Sequence, residues 1–283
     1  MYCPSCRGEY REGFSSCRDC DVALVDALPE EPPEAEDLSD DPEEDLTSEE
    51  GLTVGPWEDL AAHPASDKRL RTLELLLVLF VAFGSPLVFS LIDWWRNAPF
   101  SKEYPVRAQL AWSLQAAASI CVVAYVLFRQ GRSLRQLGLT ASRRDIPATI
   151  LLTAFAFAPS IVIAGGVSSA PAFHPLASFA GGLTLGPLLW LTLLLSAACE
   201  ELIVRAYLMT EIMALTGRMA FAVLASVGFQ TLYHLYEGTP LAITAGVMFF
   251  INSIYYAYNR RVAPLILSHF LYNFILFGYW AHG

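Results

Sequence analysis

The sequence predicts an all-α fold, namely a polytopic transmembrane helical bundle of about seven spans behind a small cysteine-bearing N-terminal ribbon. Hydrophobic residues account for 54% of the 283 residues, whereas charged residues account for only 16%. Seven apolar runs follow one another after residue 67, and each is long enough to cross roughly 30 Å of hydrocarbon as a helix. Helices are expected because a span in lipid must satisfy its own backbone hydrogen bonds.

The first segment, residues 1–28, carries four cysteines in two Cys-x-x-Cys pairs. These are Cys3, Cys6, Cys17 and Cys20, with ten residues between the pairs. Two such knuckles suit one tetrahedral Zn²⁺ bound by four thiolates, and the doubled two-residue gap favours a metal site over a redox pair. So short a segment has no core without the metal. We therefore expect a zinc ribbon with bound Zn²⁺, for which partner binding, regulation and capping of the fold are open roles.

The second segment, residues 29–66, is expected to be an acidic disordered linker. Residues 30–50 contain twelve acidic residues and no basic ones, and they account for most of the net charge of −10. A segment with so little to bury cannot offset the entropy of ordering. Residues 52–66 include Trp57 and admit a short interfacial helix. The acidic composition without a basic patch also argues against nucleic-acid binding.

The third segment, residues 67–283, contains the predicted transmembrane domain. Its apolar runs are residues 72–92, 108–128, 147–167, 183–209, 219–236, 241–258 and 262–279. Basic residues gather before the first run and after the second, fourth and sixth, with three in the first external loop as the exception. This bias predicts a cytoplasmic N-terminus and an external C-terminus. We expect an integral protein of a bacterial inner membrane, inserted by its first span rather than by a cleavable signal peptide.

Strongly polar side chains are scarce within these runs, and ionisable groups in a membrane are costly and usually functional. The chief exceptions that need an explanation are Glu200, Glu201, Arg205, His234, His269 and Asn273. Glu201 and Arg205 are four residues apart, so we expect them to share a helix face and form a structural ion pair. Glu200 is rotated from its neighbour by about 100° and stays available for chemistry. His269 and Asn273 are also four apart and should face one cavity.

Short motifs around these residues resemble those of a known family. Residues 200–205 fit a Glu-Glu-x-x-x-Arg motif, and residues 269–273 fit a His-x-x-x-Asn motif. With these motifs the chain resembles the CAAX prenyl protease and bacteriocin-processing and immunity family, also called CPBP or Abi. The resemblance covers about residues 134–273 and includes a Leu-Arg-Gln-Leu-Gly-Leu segment at its start. In the family's middle motif, Phe-x-x-x-His, Gln230 stands where Phe is expected before His234.

The resemblance implies an intramembrane protease and assigns roles to its motif residues. Glu200 and His234 would activate water, and His269 and Asn273 would stabilise the oxyanion. A desolvated glutamate can indeed serve as general base beside a histidine. Two His and one Glu are also a familiar ligand set for a catalytic Zn²⁺, although the His-Glu-x-x-His spacing of soluble zinc proteases is missing. Metal-dependent and glutamate-dependent catalysis are therefore both open.

The leading hypothesis is an intramembrane endopeptidase that cleaves a peptide bond in or near the bilayer. Its partners would be membrane lipid, a peptide or membrane-protein substrate, and a protein bound by the zinc ribbon, with no nucleic acid. The main alternative is a non-catalytic immunity or scaffolding protein that recruits partners through the ribbon, and the Gln230 departure argues for it. A transporter with Glu200 as proton relay is weaker, because the runs show no internal repeat and no paired broken helices.

The expected helices place the two site histidines at different depths in the membrane. Counting about 1.5 Å per residue from the cytoplasmic ends, His269 lies shallow and His234 lies more than two-thirds of the way across. A common site therefore requires some helix ends to shift. The Gly-Pro pair at residues 186–187 can start the fourth helix late, and Gly and Pro within residues 238–240 can shorten the fifth.

Overall fold

The computed structural model describes residues 68–98, 105–143, 145–166 and 185–282, together with residues 2, 15, 16, 23, 25, 26 and 183. For residues 158–166 and 279–282 the description covers the backbone alone. The chain divides into two compact units, residues 1–51 and residues 52–283.

In the N-terminal unit, the described residues form two isolated antiparallel bridges. Tyr2 pairs with Val25 through backbone hydrogen bonds of 2.7 and 2.8 Å, and Ser16 pairs with Ala23. The four cysteines expected to bind zinc lie outside the described residues, and so does the acidic linker. The zinc ribbon, its Zn²⁺ and the disordered linker therefore stay predictions.

The described part of the larger unit contains seven helices and two short 3₁₀ turns. The helices are α1 (Lys68–Trp95), α2 (Val106–Arg129), α3 (Asp145–Gly166), α4 (Pro187–Thr216), α5 (Met219–Tyr233), α6 (Thr239–Asn259) and α7 (Ala263–His282). The turns are Leu134–Leu137 and Leu235–Glu237. Each helix coincides with one predicted apolar run. The prediction of an all-α helical bundle is therefore confirmed for these residues.

The helices have the lengths and surfaces of a membrane protein. Among the described residues, α1, α2, α4 and α6 are long and apolar enough to cross a bilayer, and α3, α5 and α7 contain shorter apolar stretches. Phe80, Leu114 and Phe128 are 75%, 70% and 80% exposed, which suits side chains that contact lipid. The chain is an integral membrane protein. The side on which each terminus lies stays a prediction.

Helix α4 lies at the centre of the bundle. It packs against α2, α5 and α7, while α1 packs against α2 and α5, and α3 packs against α6 and α7. The main core combines Val78 of α1, Val123 of α2, Ile203 of α4 and Leu265 of α7, each at most 1% exposed. Residues of α4 can therefore meet side chains from most of the other helices.

A π-helical segment interrupts the regular winding of α4. The helix opens at Pro187, as the sequence suggested, because a first-turn proline gives up no hydrogen bond. It closes at Gly217 in the left-handed conformation, with φ of 67°. Between these ends, Glu201–Tyr207 is π-helical and all seven residues are buried. Such segments are rare and occur frequently at functional sites.

A buried ion network joins α1 and the end of α2 to α4. Glu211 of α4 is fully buried and accepts hydrogen bonds from Arg71 and from Arg132, the latter at 2.5 Å. Glu74 of α1 pairs with Arg129 beside it. Glu211 therefore supplies the negative charge for two guanidinium groups that are themselves mostly withdrawn from solvent.

The Leu-Arg-Gln-Leu-Gly-Leu segment docks on the connection between α6 and α7. Gly138 has φ of 86°, and its carbonyl accepts a hydrogen bond from the Val262 amide at 3.1 Å. A Cβ at this position would lie 1.9 Å from the Arg260 carbonyl oxygen. Tyr256 of α6 also donates to the Leu137 carbonyl at 3.0 Å. Only glycine fits both the left-handed backbone and so close an approach.

Candidate active site

Glu200 is the last residue of α4 before the π-helical segment, and it is half-buried. Its Oε2 accepts a hydrogen bond from Gln230 Nε2 at 2.7 Å and another from the Tyr233 hydroxyl at 2.7 Å. Both donors belong to α5. Its Oε1 receives no hydrogen bond from the described residues. The carboxylate therefore has one oxygen held by protein donors and one without a donor among the described residues.

Gln230 is the position at which the chain departs from the Phe-x-x-x-His pattern. Its side chain is fully buried and its amide nitrogen donates to Glu200, so the departure adds a polar contact to the site. Phe229, the displaced aromatic residue, instead makes an edge contact with Phe83 of α1, with ring centroids 5.6 Å apart. The same Phe83 stacks on Tyr233 at 4.9 Å.

His234 follows the last residue of α5, where the helix ends. Its Nδ1 lies 2.9 Å from the Gln230 carbonyl oxygen, and because a carbonyl can only accept, Nδ1 carries the hydrogen. In this tautomer, Nε2 is the ring nitrogen that carries a lone pair. The ring lies 4.5 Å from the Tyr233 ring and 5.0 Å from the Phe249 ring, centroid to centroid. His234 thus offers a base, or a metal ligand, next to the residues that hold Glu200.

Helix α1 supports the turn that carries His234. Ser90, which is 1% exposed, donates to the Leu232 carbonyl at 3.1 Å and accepts from the Tyr236 amide at 3.0 Å. Gly238 follows with φ of 93° and precedes the start of α6. These contacts satisfy backbone groups released where α5 stops. The predicted shortening of the fifth helix before residues 238–240 is confirmed.

Glu201 is fully buried and joins three helices. It forms the predicted ion pair with Arg205, at 3.5 Å between Oε2 and Nε. Its Oε1 also lies 2.9 Å from His269 Nδ1 of α7 and 3.4 Å from Asn252 Nδ2 of α6. The structural role predicted for Glu201 therefore extends to orienting His269. A carboxylate on Nδ1 leaves Nε2 of that imidazole as the atom that can face a reactant.

The Arg205 guanidinium contacts side chains of three helices. Besides its ion pair with Glu201, it donates to Ser226 Oγ of α5 at 3.1 Å, and its guanidinium lies 4.9 Å from the centroid of the Phe249 ring. Phe249 also lies 6.1 Å from the His269 ring, so the two histidines flank the same phenylalanine. This fully buried ring of α6 brings the two imidazoles into one region of the bundle.

Asn273 is the predicted site residue without a hydrogen bond to the other site residues. It lies one turn after His269 on α7 and is half-buried. Its amide makes no hydrogen bond to the described residues. No hydrogen bond joins Glu200 directly to His234 within the described residues either, and the two are linked through Gln230, which contacts both.

Sequence reasoning missed several residues of this region. Tyr233, Asn252, Phe249 and Ser90 contribute contacts that no spacing in the sequence suggested. A lone amide within an apolar run was the available signal for Asn252, since such groups usually bond between helices. Glu237, in the turn after His234, is also half-buried. Burial raises the pKa of its carboxyl, while neighbouring His234 lowers this pKa and Glu200 raises it.

Residues 182–275 match the family model of type II CAAX prenyl endopeptidase Rce1-like proteins. The match spans 94 of the 283 residues, and it contains every motif residue from Glu200 to Asn273. It supports the CAAX-protease resemblance, whereas α1, α2 and α3 lie outside it. Comparisons with curated proteins and with solved structures found no match.

A catalytic zinc in this CAAX-protease-like region was the open alternative. Among the residues that the structure describes, no three His, Cys, Asp or Glu side chains come together as ligands for one metal ion. Glu200, His234 and His269 in this arrangement therefore do not fit the two-His, one-Glu ligand set.

Proposed function

We propose that the chain is an intramembrane endopeptidase in which Glu200 and His234 activate water for attack on a peptide bond in or near the bilayer. The observation that carries the proposal is the Glu200 carboxylate, held on Oε2 by two donors of α5 next to His234. By contrast, both oxygens of Glu211, a carboxylate outside the site, accept hydrogen bonds from arginines. The match to an endopeptidase family supports the reaction class.

In the proposed reaction, the free Oε1 of Glu200 and Nε2 of His234 bind one water molecule. Glu200 takes a proton from the water molecule as the water oxygen forms a bond to the peptide carbonyl carbon. The proton then passes to the amide nitrogen, directly or through His234, and the C–N bond breaks to release an amine and a carboxylic acid. General acid–base catalysis of this kind contributes about 10² to 10⁴-fold.

The proposed oxyanion site consists of His269 and Asn273. With Nδ1–H directed at Glu201, His269 can present a second N–H at Nε2 when it is protonated, and the Glu201 carboxylate stabilises that cation. The Asn273 amide has donors not engaged by the described residues. One well-placed donor to an oxyanion is worth about 2.7–4 kcal/mol of transition-state stabilisation.

The proposed substrate class is a peptide or a membrane-protein segment that reaches the site from lipid. The matched family is named for CAAX prenyl peptides, so a prenylated C-terminal peptide is the first candidate. The alternative of a non-catalytic immunity or scaffolding protein drew on the Gln230 departure. That support weakens, because Gln230 contacts the candidate base rather than disrupting the site.

The test is cleavage of membrane-embedded peptides by the purified full-length chain in lipid nanodiscs. The panel includes quenched fluorescent peptides with and without a prenyl group, and the variants are Glu200→Gln and His234→Ala. The matched control is Glu74→Gln, a buried carboxylate of α1 that pairs with Arg129 outside the site. Wild type and control should cleave, and each site variant should lose at least about a hundredfold in kcat/KM. A folded wild type that cleaves none of the peptides would overturn the proposal in favour of the non-catalytic alternative.

A further inference from the structure

We infer that Gln230 and Tyr233 are positioning residues that hold Glu200 by Oε2 and leave Oε1 as its only oxygen for water. The inference rests on the proposed function for its catalytic consequence, although the contact itself is independent of any activity. It also gives the departure from the Phe-x-x-x-His pattern a chemical purpose. A phenylalanine at residue 230 would supply no donor, whereas the glutamine amide supplies one.

Both donors are placed by one turn of α5. Gln230 and Tyr233 are three residues apart and so lie on the same helix face, and each donates to the same carboxylate oxygen at 2.7 Å. Gln230 is 0% exposed and Tyr233 is 5% exposed, so water does not compete for these bonds. Turning the carboxylate to exchange its two oxygens would break both bonds at once.

The buried environment of Gln230 argues against a role in packing alone. Its amide oxygen is buried without a hydrogen-bond partner among the described residues, and an unpaired buried acceptor is destabilising. An apolar side chain of similar size would avoid that cost. The backbone of the same residue accepts the Nδ1 hydrogen of His234. One residue therefore orients both members of the proposed catalytic pair.

Tyr233 is braced by α1, which lies outside the family match. Its ring stacks on Phe83 with centroids 4.9 Å apart and planes inclined by 19°, and it meets Phe229 edge-on at 5.9 Å. Phe83 is itself 4% exposed. The ring is therefore packed between two phenylalanines while its hydroxyl donates to Glu200. Helix α1 thus contributes to the site by packing against Tyr233.

The test removes each donor while keeping side-chain size, in Tyr233→Phe and Gln230→Leu. Matched controls remove a similar donor elsewhere. Tyr256→Phe removes a buried hydroxyl that donates to the Leu137 carbonyl, and Gln115→Leu removes an amide that donates to the Val81 carbonyl at 2.5 Å. Each variant is also made with the additional substitution Glu200→Gln. Subtracting the infrared spectrum of this double variant from that of the single variant isolates the carboxyl stretching band of Glu200.

The infrared band should shift in the Tyr233→Phe and Gln230→Leu pairs and should stay in place in both control pairs. Loss of one bond to the charged oxygen should also lower kcat roughly tenfold to a hundredfold with KM unchanged. A band that does not move in either test pair overturns the inference, even if the wild type cleaves peptides. A band that moves while kcat stays at the wild-type value overturns the positioning role. If the wild type cleaves nothing but the band moves, the contact stands and the proposed function fails.

Discussion

Removal of the Glu201 charge should both destabilise the protein and slow catalysis. Glu201→Gln keeps the shape of the side chain but replaces one acceptor oxygen by an NH₂ donor. That donor must then face either Arg205, the ion-pair partner of Glu201, or His269, which donates to Glu201 in the native protein. The Arg205 side chain is 0% exposed, so it would stay buried without a full counter-charge. Breaking a buried pair in this way costs about 3–5 kcal/mol.

The same substitution should slow catalysis, because His269 loses the carboxylate that orients its ring. Loss of the carboxylate behind a catalytic histidine lowers kcat by up to about 10⁴-fold in a well-studied protease triad, and we expect about 10² to 10⁴-fold here. The assay has two parts. Unfolding by sodium dodecyl sulfate titration reports the stability, and cleavage of the best peptide substrate reports kcat per folded molecule.

The matched control is Glu211→Gln on the same helix. Glu211 is fully buried and serves Arg71 and Arg132, so its loss should destabilise the protein by a similar amount. It contacts none of the proposed site residues, and its kcat should therefore stay within about threefold of wild type, a change of roughly 0.65 kcal/mol in barrier height. Equal losses of kcat in the two variants would refute the role of Glu201 in orienting His269, because the loss of activity would then follow from the loss of stability alone. Wild-type kcat in Glu201→Gln would refute it as well.

Three further predictions concern the frame around the site. Ser90→Ala should lower kcat about tenfold with little change in KM, since two buried backbone groups at the end of α5 lose their partner; unchanged kcat would contradict the support that α1 gives to His234. Gly138→Ala should destabilise the protein by about 2–5 kcal/mol, because a Cβ would meet the Arg260 carbonyl at 1.9 Å on a left-handed backbone, and thermal unfolding would measure this. Metal analysis of the full-length protein should find one zinc per chain, which Cys17→Ser reduces; a second zinc that disappears in a site variant would instead favour metal-dependent catalysis.

Hydropathy alone located the helices because lipid restricts the backbone. A span surrounded by hydrocarbon must pair its own N–H and C=O groups, so each long apolar run becomes a helix whatever its neighbours are. All seven predicted runs coincide with helices in the described residues. Breaks were also visible locally, since Pro187 starts α4 and Gly238 follows the end of α5. The ends of helices were less accurate, as α4 continues to Thr216 where the sequence suggested residue 209.

Pairs within one helix were predictable, whereas pairs between helices were not. Glu201 and Arg205 are four residues apart, and their ion pair was expected from spacing and is present. The contact of Glu201 with His269 joins residues 68 positions apart, and no helical period specifies it. It depends on how α4 and α7 are rotated about their axes, which the π-helical segment and the surrounding packing set together.

The sequence by itself determined that this is a helical membrane protein and which few polar residues its spans contain. Those facts follow from composition and from the cost of polar groups in hydrocarbon. Only the tertiary structure decided how those residues are used. It showed that Gln230, which departs from the motif, donates to Glu200, and that Ser90 of α1 supports the turn that carries His234. The reason is physical, because hydrogen bonds act over about 3 Å and only the packed helices bring distant positions that close.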